Sequence, residues 1–110
     1  MKYKESLIPK TQKDLHDYIC NVMLSAPTRR FLDFEDFDGA FFVLERGIDN
    51  LLGRFGDMKS KQLLDMLQQA KTHYESGDNK LGGALMEDTR KVVMGRQPWA
   101  YPKELYRWAV

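Results

Sequence analysis

FLDFEDFDGAFFVLERGIDNLLGRF, residues 31–55, holds all six phenylalanines of the chain. Before residue 50 it also holds six acids, Asp33, Glu35, Asp36, Asp38, Glu45 and Asp49, against one base, Arg46. Residues 31–50 therefore carry −5, and because the whole chain is +1, the remainder carries +6. The most apolar segment is thus also the most acidic. Phe37, Phe41, Leu44, Ile48, Leu51, Leu52 and Phe55 recur at steps of three and four, the spacing of one helix face. Phe42 and Val43 widen that face, as expected of a helix at the centre of its bundle. Asp33 or Asp36 is placed to cap this helix, and carboxylates in a first turn are favoured by the helix dipole. Gly47 offers room for a close neighbour, and Gly53 and Gly56 read as termination signals.

Upstream, residues 1–10 read as a lead-in in which Pro9 biases Ile8 away from helix. Thr11 opens T-Q-K-D, a variant capping box with Asp14 in the acidic position. Leu15, Tyr18, Ile19, Val22, Met23 and Ala26 then mark a helical face that Pro27 is expected to end. Downstream, Asp57 or Ser60 starts a third helix whose face is Leu63, Leu64, Met66, Leu67, Ala70 and Tyr74, closed by Gly77. Asp78 or Asn79 caps a fourth containing Leu81, Leu85, Met86, Thr89, Val92 and Val93, ended by Gly95. The tail, residues 96–110, gathers Trp99, Tyr101, Tyr106 and Trp108 around Pro98 and Pro102, and Pro102 suits the first position of a short helix. Such aromatics bury large areas, so the tail is expected to fold back and close one end of the bundle; a binding surface is the other reading. The expected architecture is all-α: a single domain, residues 1–110, of about four helices.

Composition limits the function. A chain of 110 residues, 43% apolar and 30% charged, is the size and make-up of one soluble domain. Near-zero net charge argues against general nucleic-acid binding. A single cysteine, Cys20, excludes an internal disulfide and suits a reducing compartment. No apolar run is long enough for a membrane span, and MKYKESLIPK lacks the apolar core of a signal peptide, so a cytoplasmic location is expected.

The catalytic motifs built around serine, cysteine, zinc or a nucleotide are missing, and no enzyme is expected. His16 and His73 read as surface side chains. GDNKLGG, residues 77–83, lacks the spacing of a phosphate-binding loop. Asp36 and Asp38 before Gly39 start like a calcium loop, but Phe41 and Phe42 stand where ligands would have to continue, so neither metal nor cofactor is expected. Arg29 and Arg30 either meet phosphate or pair with the nearby acids. The acids themselves have two readings that stay open: a solvated capping cluster, or a face presented to a partner.

Three stretches, LDFEDFDGAF (32–41), LLDMLQQAKTHYESGD (63–78) and GRQPWAYPKELYRW (95–108), in a short helical chain resemble small immunity proteins of bacterial contact-dependent growth-inhibition systems. The likeness rests mainly on residues 57–108 and on the overall layout. The resemblance implies a cytosolic protein that binds and neutralises a toxin domain, often a nuclease with a basic active-site surface. It brings no residue-level binding motif. The residues fit that implication through charge: Asp33, Glu35, Asp36, Asp38, Glu45 and Asp49 are the candidate contacts for a basic protein surface. The alternative is a helical adaptor or regulatory subunit that docks a protein partner through its aromatic tail, and a third class is a small helical enzyme that works through carboxylates.

Overall fold

The structure, a computed structural model, describes residues 1–26, 31 and 34–106. Four helices carry the fold: α1 (Gln12–Ser25), α2 (Phe37–Asn50), α3 (Leu52–Glu75) and α4 (Asn79–Val93). Single 3-10 turns lie at Glu5–Leu7 and Lys103–Leu105, and no strand occurs among the described residues. The domain is an all-α bundle in which α3 packs against α2 on one side and α4 on the other. α1 closes the ring against α4 and, less extensively, α2. No helix among the described residues is long and apolar enough to cross a membrane.

The starts of α1, α2 and α4 are each fixed by a side chain that accepts one of the orphan amides of a first turn. Thr11 Oγ1 takes the Asp14 N–H at 3.1 Å, Asp36 Oδ1 takes the Gly39 N–H at 2.7 Å, and Asp78 Oδ1 takes the Leu81 N–H at 3.2 Å. Of the two caps the sequence offered for α2, Asp36 is the one used; Asp33 lies outside the described residues. Pro27, the expected stop of α1, also lies outside them, and the helix runs to Ser25.

The turn from α2 into α3 differs from the sequence expectation. α2 ends at Asn50, ahead of both glycines, because Leu51 leaves helical geometry at φ −103°, ψ 14°. Gly53 lies inside the single turn that follows. The corner is Gly56, at φ 82°, ψ 166°, a region that only glycine enters without strain.

The core is contributed by every helix. Leu15, Ile19 and Val22 of α1 meet Phe41, Leu44 and Ile48 of α2; Leu63, Met66 and Leu67 of α3 and Leu85, Met86 and Val93 of α4 complete it. Each such side chain removed fully from water stabilises the fold by roughly 1.5–3 kcal/mol before entropy is counted. Tyr101 and Tyr106 belong to the same cluster, at 1% and 2% exposure, so these two tail rings are core residues.

The lead-in is a strap laid along α2. The Lys2 backbone exchanges two hydrogen bonds with Asp36: its N–H donates to Oδ2 at 3.0 Å, and its carbonyl accepts the Asp36 N–H at 3.0 Å. Tyr3 packs on Phe42 with ring centroids 4.8 Å apart, and the Pro9 carbonyl accepts from Asn50 Nδ2 at 3.1 Å. Contact this close needs bare backbone beneath it. A β-carbon at Gly39 would fall on the Lys2 carbonyl, and one at Gly47 would lie 2.9 Å from Pro9 Cδ.

Candidate functional site

Asp38, Glu45 and Asp49 stand at offsets 0, +7 and +11 on α2, which places all three on one face of the helix. Phe42, at +4, interrupts the stripe with the ring that supports Tyr3. Asp38 is 59% exposed and pairs with Lys71 Nζ of α3 at 3.1 Å. Asp49 is exposed and makes no ion pair among the described residues. Glu45 is partly buried. Burial pushes its carboxyl above the ordinary range, Lys71 pulls it part of the way back, and Asp49 adds to the rise.

The other two described candidates have been drawn into the fold. Asp36 is the helix cap and the anchor of the strap, and the backbone N–H groups of Lys2 and Gly39 hold its carboxyl below the usual range. Glu35 accepts a hydrogen bond from the Tyr18 hydroxyl. Desolvation, and then this bond to a carboxylate, push the Tyr18 hydroxyl far above its ordinary value. Of the six acids singled out in the sequence, α2 therefore gathers Asp38, Glu45 and Asp49 into a face, Glu35 and Asp36 sit at its amino end with structural partners, and Asp33 is not described. The Arg29–Arg30 pair also falls outside the described residues.

The face presents negative charge to the outside, and among the described residues a single lysine, Lys71, is held against it. Among the described residues no three histidines, cysteines or carboxylates come together as metal ligands. What the arrangement offers chemically is attraction to a positive surface and repulsion of an anionic one.

A second carboxylate centre escaped the sequence reading. Asp88 is the one charged side chain buried among the described residues, at 0% exposure. It accepts from the Ala100 N–H at 2.7 Å, the Tyr101 N–H at 2.8 Å and the Tyr106 hydroxyl. From the other side, His73 Nε2 and Gln69 Nε2 lie 2.7 Å and 3.0 Å from the Tyr101 hydroxyl. His73 is therefore a half-buried brace for the tail and not the surface side chain its sequence neighbours implied. The signal for Asp88 was present: it stands in register with Leu81, Leu85 and Val92, a carboxylate on an apolar stripe. Trp99, at φ 71° and 43% exposed, is held between the edge of Tyr106 and the ammonium of Lys103. Trp108 lies outside the described residues.

Comparison of the chain with family models, with curated proteins and with solved structures returns no match.

Proposed function

We propose that this chain is an immunity protein that binds and neutralises a cognate bacterial toxin domain, a nuclease with a basic active-site surface, in the cytoplasm. The observation that carries the reading is the α2 face: three carboxylates in one register, Asp38, Glu45 and Asp49, with Lys71 as the chain's own counter-charge. A nuclease surface shaped for phosphate carries lysines and arginines, and a convex carboxylate face complements it, speeds encounter and covers the catalytic cleft. Glu45 adds weight because a partly buried carboxylate without an ion pair is unfavourable for the fold alone and gains a counter-ion from such a partner. The burial of Tyr101 and Tyr106 favours this reading over an adaptor that docks through its tail, since those rings already serve the core.

The test is co-expression with the protein encoded beside it, co-purification, and affinity measured against salt. The reading expects a complex whose affinity falls as salt rises and which suppresses the partner's nuclease activity. A complex indifferent to salt, or one that leaves nuclease activity intact, contradicts it.

A further inference from the structure

A groove runs along the outer side of α1, away from its core-facing Leu15, Ile19 and Val22. Leu7 of the strap, Tyr18, Asn21 and Leu24 of α1, and Phe34 with Glu35 enclose about 410 Å³ of it. A second compartment of about 270 Å³ continues toward the start of α1, sharing Leu7, Tyr18 and Asn21 and adding Asp14 and Asp17. Asp14, Tyr18, Asn21 and Ser25 form a single helical stripe, so the floor is roughly 16 Å long, the length of about five residues of extended chain. Leu7 and Leu24 are 41% and 62% exposed, which leaves apolar surface open on both walls.

The charge lining the groove has one sign. Glu35, Asp14 and Asp17 face it, and no base lines it among the described residues. Asp17 is shared with Lys13 at 2.8 Å, whereas the Asp14 carboxylate makes no ion pair within 4 Å among the described residues. At the rim, the Lys4 ammonium lies 5.5 Å from the Phe34 ring centroid, so the groove edge already holds a cation supplied by this chain.

We infer that this groove is a second recognition site, which takes a basic, apolar segment of the partner protein. An apolar side chain of that segment packs between Leu7 and Leu24, and a lysine or arginine reaches Glu35, whose carboxylate keeps accepting capacity beyond its bond from Tyr18. The inference rests on the protein-binding reading above but on different residues, so the two fail separately.

The experiment uses the full chain, labelled for amide NMR, titrated with a synthetic peptide of alternating leucine and lysine and with its leucine–glutamate counterpart. The expected result is saturable shifts at Leu7, Asn21, Leu24 and Glu35 with the lysine peptide alone. Glu35→Gln, which keeps an acceptor for Tyr18, weakens binding by about tenfold. Leu24→Ser weakens it severalfold. Equal binding of the glutamate peptide, or no saturable shift at the groove amides, overturns the inference. Shifts confined to Asp38, Glu45 and Asp49 overturn it too, while leaving the α2 face reading in place.

Discussion

The buried carboxylate of Asp88 on α4 accepts the hydroxyl of Tyr106, eighteen residues away, and thereby ties the tail into the core. The same carboxylate takes the Ala100 and Tyr101 N–H groups, so three donors depend on one side chain. Asp88→Ala strands all three, and unfolding in urea is expected to show a loss of roughly 3–5 kcal/mol. Tyr106→Phe removes one donor and keeps the ring, and a loss of about 1–2 kcal/mol is expected. Negligible losses for both variants would mean that packing of the ring, and not the carboxylate, holds the tail.

The tyrosines predict an alkaline limit. Burial pushes Tyr74 up to about 12, and burial with a carboxylate hydrogen bond drives Tyr18 and Tyr106 upward as well. A folded-state value above the unfolded value near 10 leaves stability intact below pH ~10. Above it the unfolded chain loses phenolic protons that the folded chain keeps, so stability falls as pH rises. Denaturation measured from about pH 8 to about pH 12 checks this, and Tyr18→Phe should flatten the fall.

Two glycines predict different kinds of damage. Gly56→Ala forces an ordinary side chain into φ 82°, ψ 166°, with nothing within 4 Å of the new methyl group, so the expected loss of roughly 1–3 kcal/mol is purely conformational. Gly39→Ala drives a methyl group onto the Lys2 carbonyl, so the backbone of the strap must move. The expected damage is loss of the strap's attachment: hydrogen exchange at the Lys2 and Asp36 amides, which bond strap to helix, speeds up.

These positions also show what could be read in the chain and what could not. Caps are local, since the acceptor and its amide lie three residues apart, so Thr11, Asp36 and Asp78 were visible as types at their places. Apolar periodicity is local too, and it yields the four helices and their inward faces. The break at Leu51 was hidden because leucine is a good helix former and the termination signals, Gly53 and Gly56, lie beyond it. Lys2 with Asp36, Pro9 with Gly47, and Asp88 with Tyr106 are pairings distant in sequence, which a single chain does not declare. For the acids, the sequence located the charge but could not separate Asp36, occupied by backbone amides, from Asp38 and Asp49.

Glu45 predicts a conflict between stability and binding. Its carboxyl is raised in the folded state, so its favourable contribution exists below the unfolded value and is lost above it; at neutral pH the charge works against folding. Glu45→Gln should leave stability unchanged or raise it by at most about 0.5 kcal/mol, the partial exposure of the group limiting the effect. The same substitution should slow association with the partner. Thermal or urea denaturation alongside stopped-flow binding separates the two effects.

The most direct test is the association rate of the triple variant Asp38→Asn, Glu45→Gln, Asp49→Asn with the proposed toxin partner, measured across a salt series. Asp36 stays unchanged because its carboxylate caps α2 and anchors the strap. The proposed role predicts an association rate at least about tenfold lower at low salt and a flattened salt dependence. An unchanged rate and slope in a variant that remains fully helical would contradict it.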